Sequence, residues 1–266
     1  MFDYHMHTAF SADCKIPPEE MVRAAIKREI TELCFTDHVD YDYPDENFIF
    51  EFDQQDYREE IAKIQDRYAS DIKLKRGVEI GLQPHLLDRY TTFIQEEAFD
   101  FVICSLHTVE KQGLHAGTVF ENRTIDESFD AYYQELLRCI KNFDAYSVLG
   151  HVDLIKRYSK NAASTNFHEC LSQIFNEVIP KGKGIEINTS GVRYGMPTAM
   201  PSPDILQLYK DCGGEILTIG SDAHRPSDVG FQIRESLQLA SSIGFKFVAT
   251  YEVEEPEFHL IETLLR

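Results

Sequence analysis

Short apolar runs alternate with longer amphipathic segments along the whole of this chain, and that alternation leaves few folds open. The apolar runs fall at Phe2–His5, Glu32–Thr36, Lys73–Glu79, Asp100–Ser105, Tyr146–Gly150, Gly184–Asn188 and Glu215–Gly220, which read as seven strands. Pro18–Arg28, Gln54–Ala69, Pro84–Glu96, Ile125–Asn142, Phe167–Ile179, Ser202–Cys212 and Pro226–Ser242 read as helices. Pro17 and Pro18 suit a helix start, and Gly213-Gly214 suits a helix stop. Repeated strand–helix units of this kind build a parallel sheet covered by helices. At 266 residues such units can close into an α/β barrel as one domain. An eighth run, Phe245–Thr250, could add a strand, so the expectation is a seven-stranded or irregular TIM-like barrel rather than a regular eightfold one.

Composition removes several classes of function. The formal net charge is −19 at pH 7, which sets aside nucleic acid as a partner, because phosphate backbones are gripped by clustered Lys and Arg. A small phosphate ester remains compatible, since bound cations and one or two arginines can dominate the field of a site. The six cysteines are scattered without a C-x-x-C pair, as expected of free thiols. Met1-Phe2-Asp3-Tyr4-His5 lacks the basic and apolar regions of a signal peptide, and no later run has the length of a membrane span. A cytoplasmic location with no membrane partner is therefore expected.

The chemistry-bearing residues fall at strand ends. His5 and His7 close the first strand, Asp37-His38 the second, Glu79 the third, His107 the fourth, His151 the fifth, and Asp222 with His224 the seventh. In a parallel barrel these ends share one rim, the rim that carries catalysis in such folds. Residues i and i+2 of a strand face the same way, so His5 and His7 can reach one ion together, and Asp222-Ala223-His224 repeats that spacing. Mixed imidazole and carboxylate donors suit Zn, Mn or Fe better than Mg or Ca. A single histidine after an apolar run is more often a hydrogen-bonded structural residue than a ligand. Here, however, six of the ten histidines converge on one rim. His85, His168 and His259 lie in helical or C-terminal segments and receive no role, while His115, just beyond His107, could approach a substrate.

Taken in order, His5-Met6-His7-Thr8, Thr36-Asp37-His38, Gly77-Val78-Glu79, Ser105-Leu106-His107, Gly150-His151-Val152-Asp153 and Gly220-Ser221-Asp222-Ala223-His224 form a pattern that covers essentially the whole chain. It resembles the PHP phosphoesterase superfamily and, within it, the histidinol-phosphatase branch. The resemblance implies a distorted (β/α)7 barrel, a small phosphomonoester substrate and two or three divalent ions. His5, His7, Glu79 and Asp222 would hold the first ion, with Glu79 bridging to a second that His107 and His151 complete. Asp13, His38 and His224 would hold the third, although some family members carry histidine where this chain has Asp13. Asn188-Thr189-Ser190-Gly191-Val192-Arg193 resembles the segment that binds phosphate in histidinol-phosphatases, which nominates Arg193, with Arg157 as a second candidate.

Two ions about 3.5–4 Å apart can share a water and lower its pKa, so the expected nucleophile is a metal-bound hydroxide near Glu79 and Asp222 rather than a Ser or Cys. Asp40–Phe52 combines Asp40, Asp42, Asp45 and Glu46 with Tyr41, Tyr43, Phe48 and Phe50. This segment is expected to cover the site, its carboxylates receiving a substrate ammonium and its rings packing on an imidazole. An amidohydrolase would also use H-x-H at the barrel start but would place a lysine where Glu79 stands. Action on nucleotides and a silent metal-binding domain are the remaining alternatives; the second conflicts with a nearly complete ligand set.

Overall fold

The apolar runs form the staves of a parallel barrel. The computed structural model describes all 266 residues. The chain opens with β1 (Phe2–Asp3), α1 (Pro18–Lys27), β2 (Glu32–Phe35), β3 (His38–Val39), α2 (Gln54–Tyr68), β4 (Lys73–Gly81) and α3 (Leu87–Glu97). It continues through β5 (Phe101–Ser105), a hairpin of β6 (Thr108–Val109) and β7 (Gln112–Gly113), α4 (Ile125–Lys141), β8 (Val148–Leu149), α5 (Ile155–Tyr158) and α6 (His168–Val178). Then come β9 (Gly184–Asn188), α7 (Ser190–Arg193), α8 (Pro203–Asp211), β10 (Leu217–Gly220), α9 (Ile233–Ile243), a hairpin of β11 (Phe247–Glu252) and β12 (Glu255–Leu260), and α10 (Ile261–Leu265).

The barrel strands run in the order β1-β2-β4-β5-β8-β9-β10, all neighbours parallel, with the short β3 pairing beyond β2 on β4. β2, β5 and β9 are buried at every residue, as strands covered on both faces must be. Local signals set the helix starts. Pro18 occupies the first turn of α1, and Thr124 with Glu127 forms a reciprocal cap at the start of α4.

First and last strands meet through backbone bonds that run past their formal ends. Tyr4 N donates to Ile219 O at 3.1 Å, Asp222 N to His5 O at 2.7 Å, and His7 N to Ala223 O at 2.9 Å. On its other side the same segment accepts Thr36 N on Met6 O at 2.9 Å. The His5–His7 stretch is therefore held between neighbours although β1 itself spans only two residues. A Cβ at Gly220 would overlap the His5 Cβ, so the seam requires glycine there.

The eighth apolar run does not join the barrel. It forms most of β11, which pairs antiparallel with β12 and seals the opposite end from the candidate ligands. Ala249 and Tyr251 pack there with Tyr4, Cys34, Phe101, Ile103 and Val148, while Tyr251 N donates to Tyr4 Oη at 3.0 Å and Glu254 N to Asp100 O at 2.8 Å. α9 also departs from expectation, beginning at Ile233 rather than Pro226. Asp3 accepts Gly230 N at 2.8 Å, Thr189 Oγ1 donates to Phe231 O at 2.7 Å, and Gly230 and Gln232 take left-handed φ values of 71° and 50°. These ties bind residues 226–232 to the barrel rim as turns.

Tyr251→Ala would empty a fully buried site in this floor. It should lower the unfolding free energy by about 3–5 kcal/mol in urea titrations, whereas Phe247→Ala, on the outer side of the hairpin, should shift it by no more than about 0.5 kcal/mol.

Candidate metal centre

The structure brings all nine candidate ligands to the rim at the C-terminal ends of the strands, around Glu79 on β4. Its Oε2 lies 2.9 Å from His5 Nε2, 3.4 Å from His7 Nε2 and 3.3 Å from His38 Nδ1. Its Oε1 lies 2.9 Å from His151 Nε2 and 3.3 Å from His107 Nε2, and accepts Ser105 Oγ at 2.6 Å. Asp222 Oδ1 stands 3.3 Å from His7 Nε2, and Asp13 Oδ2 stands 3.2 Å from His224 Nε2 and 3.8 Å from His38 Nε2. Four groups have ligand atoms all within 4.8 Å of one another: His5, His7 and Asp222; His5, Glu79 and His151; His38, Glu79 and His107; and His7, His38 and His224. His38 thus belongs to two groups, where the sequence pattern assigned it to the third alone.

The partners of the outer nitrogens determine which ring atoms carry protons. His5 Nδ1 meets Glu186 Oε1 at 2.6 Å and His107 Nδ1 meets Asp40 Oδ2 at 2.6 Å; a carboxylate only accepts, so both Nδ1 atoms donate. Ser11 Oγ donates to Asp37 at 2.9 Å and therefore accepts from His7 Nδ1 at 3.0 Å. The Asp222 carbonyl accepts from His224 Nδ1 at 3.1 Å. As neutral rings these four histidines present bare Nε2 atoms inward, and the His5 and His7 Nε2 atoms face each other at 3.1 Å beside a carboxylate. Lone pairs so opposed in a buried space call for cations, and the donor set fits divalent transition metals.

The surrounding carboxylates also favour the charged form of two of these rings. Burial opposes a charged imidazole at His5, yet Glu186, Glu79 and Asp222 outweigh it and hold the ring well above the ordinary histidine range; Asp40 and Glu79 do the same for His107. Burial likewise disfavours a charged Glu79, but His5, His38 and His107 hold it well below the usual carboxylate range. Asp40 is drawn down to about 2 by His107 against the cost of its burial.

A cavity of about 860 Å³ opens above the cluster. Arg193 and Arg157 both line it. Arg193 Nη1 and Nη2 donate to the Ser221 and Asp222 carbonyls, each at 2.7 Å, which steadies Asp222 in a left-handed conformation at φ 53°. Arg157 donates to Tyr158 Oη at 2.6 Å and stacks its guanidinium 4.1 Å from the Tyr194 ring centre. Tyr43, Phe48 and Phe50 form one wall, with Phe50 edge-on to His38, and His115 reaches the cavity as well.

The Asp40–Phe52 segment reaches the cavity through those rings and through Asp40. Asp42 is exposed and pairs with His85, Asp45 accepts from Asn47, and Glu46 is exposed, so none of these three reaches the cavity. Asp40 does line it: its Oδ2 accepts from His107 Nδ1, and its buried Oδ1 has no hydrogen-bond partner. His168 pairs with Asp204 away from the site and His259 meets Thr250 on the hairpin, as befits residues without an assigned role. Sequence reasoning missed Glu186, Asp40 and Ser11 as supports of the inner histidines. It also missed Arg225 and Asp228 on the cavity wall. Glu186 carried a readable signal, since it alternates with Ile185 and Ile187 in a buried strand and so points inward with Asn188.

The PHP domain model matches residues 3–190, which include seven of the nine candidate ligands. The chain belongs to the PHP family. A histidinol-phosphatase of Lactococcus lactis is 32% identical over 257 residues, covering 94% of this PHP chain and 93% of that protein. A crystal structure of histidinol phosphate phosphatase from the same organism, complexed with Zn, L-histidinol and phosphate, matches at a TM-score of 0.86 and 29% identity, covering 96% of this chain and 98% of that one. A solved structure from Listeria monocytogenes shares the PHP fold at a TM-score of 0.73 and 20% identity, over 87% of this chain and 98% of that one. No helix of this PHP protein is long and apolar enough to cross a membrane.

If the bare nitrogens hold ions, protein purified without chelator should contain divalent metal by elemental analysis. His7→Ala should lower that content, and His168→Ala, on the surface, should leave it unchanged.

Proposed function

We propose that this chain is a cytoplasmic, metal-dependent histidinol-phosphatase that hydrolyses L-histidinol phosphate to L-histidinol and phosphate. The observation that carries this reading is the match over nearly the full chain to a solved relative holding Zn, L-histidinol and phosphate, whose organic ligand and anion are the two products of that hydrolysis. Two or three ions of Zn, Mn or Fe per chain, when bound, would act as Lewis acids that acidify a water and offset phosphoryl charge.

The residues divide the work. His5, His7 and Asp222 would hold one ion and His107 and His151 a second, with Glu79 offering a carboxylate oxygen to each set. Asp13, His38 and His224 would hold the third. Arg193 binds phosphate: the carbonyls of Ser221 and Asp222 occupy one hydrogen of each Nη, and the remaining hydrogens can meet phosphoryl oxygens. Arg157 adds a second cation held flat by Tyr194. Tyr43, Phe48 and Phe50 provide the apolar surface for the imidazole ring of the alcohol.

Phosphate release from L-histidinol phosphate, mononucleotides and phenyl phosphate tests the assignment. A chelator-sensitive preference for L-histidinol phosphate is expected; activity confined to the other esters would remove the substrate assignment. Arg193→Ala, assayed at saturating metal, should lower kcat/KM for L-histidinol phosphate by about 10²-fold or more.

A further inference from the structure

β9 is the one barrel strand that supplies no side chain, from itself or from the residues just after it, to any of the four possible metal groups. It nevertheless buries Glu186 at 1% exposure and Asn188 at 0% directly behind them. Glu186 Oε1 lies 2.6 Å from His5 Nδ1, while Oε2 accepts His151 N at 3.1 Å and Asn188 Nδ2 at 3.2 Å. Asn188 Nδ2 also reaches Asp222 Oδ2 at 3.4 Å, and its Oδ1 accepts Ser190 N at 3.0 Å. One carboxylate thereby fixes a ring from the first strand and a backbone amide from the fifth, and passes its hold to Asp222.

We propose that Glu186 is a positioning residue that sets the affinity of the ion held by His5, His7 and Asp222, an inference that rests on the metal-dependent reading above. Glu186 fixes His5 as the Nδ1–H form, aims Nε2 inward, and through its negative charge makes that nitrogen a stronger donor. Asp40 stands in the same relation to His107, with Oδ2 2.6 Å from Nδ1, and comes from a different segment of the chain. Two buried carboxylates therefore back two different histidines, and each tunes a different ion.

The test uses the full-length protein stripped of metal and titrated with Zn²⁺ or Mn²⁺ against a chromophoric chelator. Glu186→Gln keeps the size of the side chain and removes its charge. It should weaken one metal equivalent by about 10–100-fold, leave the others unchanged, and let kcat recover as Mn²⁺ is raised. Asp40→Asn should weaken one equivalent by a similar factor, and the double variant should weaken two. Glu186→Asp, which keeps the charge but withdraws it from His5, should give a smaller loss and serves if the glutamine variant does not fold. Wild-type affinity for every ion in Glu186→Gln, or a uniform weakening of all ions together with a lower Tm of the metal-free protein, would overturn the assignment. A wild-type protein that binds no ion at all would instead remove the metal-dependent reading itself.

Discussion

A carboxylate sealed from water organises this molecule. Glu79 is 1% exposed, and an isolated charge so placed would cost several kcal/mol. Five imidazoles answer it within 3.4 Å, and they arrive from the ends of four different strands. The two oxygens sort these rings, with His5, His7 and His38 around Oε2 and His107 and His151 around Oε1. A parallel barrel is the architecture that can deliver so many side chains to one point, because every strand ends on the same rim.

The rest of the structure follows from keeping that point dry and rigid. Below it, the β11–β12 hairpin and the inward aromatic residues close the barrel floor, so the cluster is reached only from the cavity side. Beside it, the seam between first and last strands runs through His5, His7 and Asp222 themselves, so one set of backbone bonds closes the barrel and places these candidate ligands. Above it, Arg193 holds the backbone at Asp222, and the rings of Tyr43, Phe48 and Phe50 narrow the opening. The cavity sets Arg157, Arg193 and Arg225 beside Asp13, Asp40, Glu79, Asp222 and Asp228, so an anion there would need bound cations as well as guanidinium groups.

Much of this was legible in the sequence because buried parallel strands read as continuous apolar runs and their ends as sudden polarity. Six of the seven barrel strands lie within the expected runs and β4 extends two residues past its own, to Gly81, while the nine rim residues meet as the register requires. What escaped has physical reasons. β3, β6 and β7 have two residues each, too few for any periodicity, and β12 alternates charged and apolar residues on an exposed hairpin. Pro226 signals a helix start, but hydrogen bonds from residues distant in sequence keep that stretch in turns. Asp40 was indistinguishable from its acidic neighbours, since only the tertiary fold buries it against His107 and leaves Asp42 and Asp45 outside.

Glu79 is proposed to join two metal positions, which anomalous diffraction from crystals of the metal-loaded protein can locate. Data collected on either side of the absorption edge of the bound metal should show at least two peaks about 3.5–4 Å apart, with one Glu79 oxygen on each. Peaks that avoid Glu79, or a single ion bound by His38 and His224 alone, would contradict the account.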